Sequence, residues 1–278
     1  MVHRLHLLFA ALLLVPASAA LGQSAEEPAL RSPDDIIVEG ERLTEKEARQ
    51  RAHDFIRTLG VAPGIYADDS VARWTGELCP RALGLSEDHA ALVEGWFRAI
   101  AQDAAADVAK DKCSANVFLL FVDDGSRFIN LIRTRSPGQF AAMSGPDIRD
   151  LVERERPIRW WYSVRLETGG ASLIKPASIR SIERATIVID VNRAEGATLR
   201  AVTAYAAFVA LAGVRGTAAP KGDSILALFD GRPGQAELSR WDRRFLTELY
   251  AMPHERRTRY QRGRLVKALV TPEEDTPR

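Results

Sequence analysis

The sequence has little of what thiol and metal chemistry need. It holds two cysteines, five histidines and three methionines in 278 residues. Beyond the first few residues only His53, His89 and His254 offer an imidazole. A zinc centre takes three or four nitrogen or sulfur ligands held close together, so neither metal nor cofactor is expected. An excess of one charge is missing too. Lys and Arg total 38 against 37 for Asp and Glu, a net charge of +1. Such a chain has no global field to draw nucleic acid. No apolar run approaches the ~20 residues of a membrane span, so no transmembrane segment is expected. A Gly-x-Ser-x-Gly elbow, a P-loop and a dinucleotide fingerprint are all absent, which excludes those chemistries in their usual form. Internal repeats and low-complexity tracts are absent as well. What is present is ordinary for a globular chain, 46% hydrophobic and 27% charged. That composition excludes a disordered, collagen-like or multi-pass membrane protein.

The first residues read as a leader. Arg4 is the positive n-region, residues 7–15 are an unbroken apolar run, and Pro16 breaks it. Ala17-Ser18-Ala19 and then Ala20-Leu21-Gly22 fit the small-x-small cleavage rule. Residues 1–22 are therefore expected to be a signal peptide, exporting the chain to the periplasm or the medium. In an oxidising compartment the isolated pair Cys79 and Cys113 reads most simply as a disulfide. Free buried thiols, or half of a metal site, are the alternatives. Closing a loop of about 35 residues would stabilise the fold by roughly 3–4 kcal/mol in the chain-entropy account.

Patterning then divides the chain. Residues 23–43 are expected to be a flexible lead-in with a short β-type run at 35–40, either a sheet edge or a docking strand. Residues 44–270 read as one domain, with a disulfide-stapled half at 44–145 and a second half at 146–270. Residues 271–278 form a polar tail. Thr44 with Glu47 is a capping box that opens a helix to about residue 59. Residues 65–85 look loop-like. Ser86 caps a helix to about residue 110, whose Leu92, Val93, Trp96, Phe97, Ile100 and Ala101 recur at helical spacing and are expected in the core. Residues 117–122 form an apolar run typical of a strand covered on both faces, and Asp123-Asp124-Gly125 turns out of it. Residues 127–132 suit a strand or a short helix. Pro146 begins a helix to 153, and residues 158–165 and 185–191 suit strands. An Ala-rich helix follows from 199 to about 211, closed by Gly213. A short apolar turn at 224–229, a helix from 239 to 250 and a basic helix from 254 to 270 complete the order. The fold class expected is α+β, a mixed sheet packed by helices.

Within this order, Ala194-Glu195-Gly196 leads into the Ala-rich helix. Asp223-Ser224-Ile225-Leu226 follows, and then Leu238-Ser239-Arg240-Trp241-Asp242 with Leu246 and Leu249-Tyr250. The succession resembles the active-site half of zincin metallopeptidases of the metzincin type, over about a quarter of the chain. That family carries His-Glu-x-x-His on the helix and a third His after the glycine. If Gly213 is the helix-ending glycine, Ala206 and Ala210 stand at the two His positions. Ala207 then stands at the Glu, and Gly216 at the third ligand. None of these side chains can bind zinc or take a proton. The resemblance therefore implies a zincin-like C-terminal half without its metal or its peptidase chemistry. In the N-terminal half, Arg73-Trp74, Leu78-Cys79-Pro80, Gly84-Leu85, Cys113 and Asn116 resemble a group of exported Gram-negative proteins with no assigned function.

Other constellations are weaker. Gly222-Asp223-Ser224-Ile225 approaches a serine-esterase block, but Ala251 stands where an Asp should precede His254. Asp123, Asp124 and Asp190 suit an acidic site at strand ends only if they converge. Arg256, Arg257, Arg259, Arg262, Arg264 and Lys267 suit either a solvated helix face or weak contact with an anionic surface. The function expected is a non-catalytic secreted or periplasmic binding or scaffolding protein, a pseudo-metallopeptidase whose partner is an envelope protein or ligand. The alternative is a hydrolase with an unorthodox cleft lined by Asp190, Tyr205, Asp223 or Ser224.

Overall fold

The computed structural model describes residues 44–59, 71–110, 112–141, 143–169, 177–216, 224–230, 236–253 and 258–271. The leader, the run at 35–40, Asp223, His254 and the tail beyond 271 lie outside the described residues. In chain order the elements are α1 (Glu45–Leu59), β1 (Arg73–Trp74), β2 (Pro80–Leu83), α2 (Glu87–Asp103), β3 (Val117–Val122), α3 (Gly125–Arg135) and α4 (Gly145–Glu153). They continue with β4 (Ile158–Gly169), β5 (Ala177–Asp190), α5 (Leu199–Ala212), α6 (Arg240–Ala251) and α7 (Thr258–Val270). Single 3-10 turns lie at Pro137–Phe140 and Ile225–Ala227.

One mostly parallel five-stranded sheet takes strands from both halves of the chain. β2, β3 and β5 run parallel and adjacent, β4 runs antiparallel along β5, and β1 adds a short parallel pairing at Ser181 and Ile182. Strand alternation sorts the faces. Val117, Leu119 and Phe121 of β3 join Ala185, Ile187 and Ile189 of β5 in the main core, with α1, α2, α5, α6 and α7. Val188 and Trp161 point the other way and pack with Ile129, Phe140 and Leu151 under α3 and α4. Both faces are thus covered, which is why residues 117–122 are apolar throughout.

Several expectations needed correction. The stretch 65–85 contains β1 and β2; each is too short to show a period, and pairing holds them. α2 ends at Asp103 instead of near residue 110, because Ala105 turns to a φ of 59° and the chain leaves for the disulfide. Of the two readings of residues 127–132 the helix holds: they belong to α3, whose first turn is capped by Asp124 accepting from the Arg127 N–H. β4 and β5 both extend beyond the stretches expected of them. The Cys79–Cys113 disulfide is formed, which fits an extracytoplasmic setting. Among the described residues no helix is long and apolar enough to cross a membrane.

α5 is the centre of the main core. Residues 201–212 are buried on every side, as expected for a helix apolar all round. Its last four carbonyls have no intrahelical donor, and burial denies them water. Aromatic side chains replace it. Tyr162 donates to the Val209 carbonyl, Trp74 Nε1 to Ala210 at 2.8 Å and Tyr250 Oη to Leu211 at 3.0 Å. Just beyond the helix, Trp160 Nε1 donates to Val214 at 3.0 Å. Gly213 ends the helix at a φ of +58°, and a Cβ there would meet the Ala72 carbonyl oxygen at 2.5 Å. Only glycine fits both the turn and the approach.

Candidate binding groove

α2 presents more apolar surface than the core uses. Val93, Phe97 and Ala101 are buried in the core. Leu92 and Trp96 sit about 100° round the helix from Val93 and Phe97. Leu92 is 48% exposed, and Trp96 is half-buried. From Trp96 onward, with Ala99, Ile100 and Asp103, this side of α2 forms one wall of a groove of about 220 Å³. The first turns of α5 supply Arg200 and Ala204, and α6 with its lead-in supplies Glu237, Arg243 and Leu246.

Two of the charges engage each other. Arg200 lies over the Trp96 ring at 5.8 Å and pairs with Glu237 at 2.9 Å. The Arg243 guanidinium is 3.9 Å from the other Glu237 oxygen, too far for a hydrogen bond. All three side chains are more than half exposed, so these pairs contribute little to stability. Thr247 carries the one neutral side-chain hydroxyl among the described lining residues, which include no histidine, cysteine or serine. The groove offers an apolar floor and fixed charges, with no activated nucleophile.

The residues singled out from the sequence lie elsewhere. Ala206, Ala207 and Ala210 are at most 1% exposed inside α5, and the Gly216 carbonyl accepts from Arg156. Ser224 has no exposed surface. Its hydroxyl donates to Asp242 Oδ1 at 2.8 Å, and Asp242 Oδ2 accepts from the Ile225 N–H at 2.7 Å and the Ser239 N–H at 2.9 Å. Burial raises the Asp242 carboxyl above its ordinary range, and these hydrogen bonds oppose the rise. Tyr205 is buried between the Trp160 and Phe229 rings, and burial raises its phenol.

Asp190 is 3% exposed on the opposite face of the sheet from α5. It accepts from the Gly125 N–H at 3.0 Å and the Arg193 N–H at 3.1 Å. Arg159, 1% exposed, approaches it at 3.8 Å and donates to Ser126 Oγ at 2.9 Å and the Arg154 carbonyl at 3.1 Å. Burial lowers the Arg159 guanidinium, and the Asp190 charge opposes this. A Cβ at Gly125 would collide with Arg159 Nη1. These residues lock the end of β5, the start of β4 and the start of α3 together. Asp123 and Asp124 are exposed, and among the described residues no three metal-ligating side chains converge. On α7, Gln261, Leu265, Val266 and Leu269 are buried. Arg259 and Lys267 are exposed, and Arg264 pairs with Glu248 at 2.5 Å.

The groove was not singled out in the sequence. The signal for it was the doubled apolar stripe of α2, adjacent pairs at 92/93, 96/97 and 100/101, wider than one core contact needs. No protein family, curated protein or solved structure matches this chain.

Proposed function

We propose that this is a non-catalytic binding protein of the cell envelope, exported by its leader, with the α2–α5–α6 groove as its binding surface. The observation that carries this reading is a groove that sets the part-buried apolar side chains of Trp96 and Ile100 beside exposed charges of both signs, with no histidine, cysteine or serine among its described lining residues. The surroundings of the hydrolase candidates support it further. Ser224 is sealed against Asp242, and Asp190 is taken up by backbone N–H groups and Arg159. Kinship with metzincin-type peptidases belongs to the same proposal. The order of strand, turn, helix, glycine, apolar turn and closing helix supports it, as does the packing of α5 on β5.

The test pairs binding with turnover. Thermal-shift screening of small solutes should find ligands that raise the melting temperature of the wild-type protein. Ala99→Trp fills the groove from an exposed position, and it should abolish that shift without lowering the unliganded melting temperature. Ester and peptide substrates should show no turnover. Hydrolysis abolished by Ser224→Ala in a folded protein would overturn the reading in favour of the hydrolase.

A further inference from the structure

The two sulfurs of the disulfide have different surroundings. Cys79 is 2% exposed, and its N–H and carbonyl are both bonded to Asn116. Cys113 is only half-buried, in the loop between α2 and β3. Beside it stands Arg98 of α2, also half-buried. One nitrogen of that guanidinium donates to the Ala109 carbonyl at 2.5 Å, and Nη2 is 3.7 Å from Cys113 Sγ. The carbonyl thus fixes a cation against the sulfur of the more exposed cysteine. A disulfide sulfur is a weak acceptor and gains little from it, whereas a thiolate would gain a charge-assisted pair. The other charged residues nearby in the chain, Glu77, Asp107, Lys110 and Lys112, are exposed to solvent, and Asp111 lies outside the described residues. Lys112, directly before Cys113, has a φ of 65°, a region that few residues other than glycine adopt. Exposed or strained disulfides are the labile ones, and cysteines beside a cation are the reactive ones.

We propose that Cys113 is a thiol-exchange site, at which a small monothiol of the glutathione class opens the Cys79–Cys113 bond. The attacking thiolate forms a bond to Cys113 Sγ. The Cys79–Cys113 bond breaks, and Cys79 leaves with the electron pair and takes a proton from water. A second thiolate then attacks the sulfur of the first, forming the small disulfide and releasing Cys113 as a thiolate beside Arg98. Two external thiols are oxidised to one disulfide, and the protein bond is reduced to two thiols. Burial turns the attack away from Cys79, and Arg98 stabilises the product of attack at Cys113.

The test equilibrates the full exported protein with graded mixtures of reduced and oxidised glutathione, followed by acid quenching and peptide mass spectrometry. In the wild type the mixed disulfide should sit on Cys113. Labelling of Cys79, or of both cysteines equally, overturns the site. Circular dichroism of the same samples should show a folded protein, and a bond that opens only on unfolding also overturns it. Arg98→Gln removes the cation and keeps hydrogen-bond donors. At about pH 9, above the ordinary thiol value, opening half of its bonds should need a ratio of squared glutathione to its disulfide about tenfold higher than in the wild type, the effect of one lost charge-assisted pair. At about pH 6, where a thiol without its cation stays protonated, the two proteins should open nearly alike. A merely structural role of Arg98 would shift the ratio by the same factor at both pH values. That result overturns the inference, as does no shift at either pH. Should Arg98→Gln not fold, the position of the mixed disulfide in the wild type decides alone.

Discussion

Single polar atoms decide much of this core. The phenol of Tyr250 gives the Leu211 carbonyl the partner that helix geometry denies it, and burial raises that phenol well beyond its ordinary range. Tyr250→Phe keeps the ring and removes only the donor. It should cost about 1–3 kcal/mol, the penalty for a buried unpaired carbonyl, read as a lower urea midpoint at an unchanged slope. Asp242 makes a second, pH-dependent case. Burial raises its carboxyl, so the folded chain keeps that proton to higher pH than the unfolded chain does. Below the unfolded value both states are protonated and no charge is buried. Between the unfolded and folded values the native state binds more protons, so stability falls as pH rises. Asp242→Asn keeps one oxygen to accept the Ile225 and Ser239 N–H groups, turns an NH2 towards the Ser224 hydroxyl and cannot titrate. Urea midpoints measured from about pH 4 to about pH 7, across and above the ordinary carboxylate range, should show wild type losing stability relative to Asp242→Asn as pH rises.

At the scale of elements, local chemistry was the legible part. Thr44 with Glu47 opens α1, and Ser239 with Asp242 opens α6. Gly213 closes α5 and Ser224 caps the apolar turn. Each signal lies within a few residues of the end it marks. β1 and β2 were illegible because nothing local makes them strands. β1 consists of two residues held by β5, and β2 lies between β3 and a side chain of α2. That side chain is Glu94, whose carboxylate accepts the Ala82 N–H at 2.9 Å and pairs with Arg81 at 3.8 Å. Pro80 has no N–H to offer. The edge of the sheet is therefore closed to another strand by one carboxylate and one proline. Glu94→Ala should lower stability by about 1 kcal/mol for the lost bond. It should also raise self-association, read by light scattering against concentration. The groove was illegible for another reason. Arg200 and Arg243 are far apart in sequence, and Trp96 belongs to a stripe whose other half is core. Only the packing of α2 shows which half is left over.

At the scale of the molecule, one sheet draws strands from both halves, so neither half can complete its core alone. Cys79 lies just before β2 and Cys113 just before β3, and the bond between them closes the β2–α2–β3 crossover over a separation of 34 residues. That crossover carries Trp96 and Asp103, hence one wall of the groove. A cross-link of this span is worth about 3–4 kcal/mol through the unfolded state. Replacing both cysteines by serine should lower the unfolding free energy by about that amount. The loss should be uneven. The Asn116 side chain accepts the Cys79 N–H at 2.7 Å, and the Cys79 carbonyl accepts from the Asn116 N–H at 3.1 Å. These bonds keep the strand starts together once the sulfurs are gone. β3 and β5, paired over six residues and covered on both faces, do not depend on the crossover. Hydrogen exchange in the double variant should therefore quicken first in β2 and α2, with α5 and β5 exchanging only through global unfolding. Equal acceleration everywhere would mean that the bond acts on the whole chain. Acceleration confined to the crossover would mean that it fixes one wall of the groove, making the disulfide a determinant of binding as well as of stability.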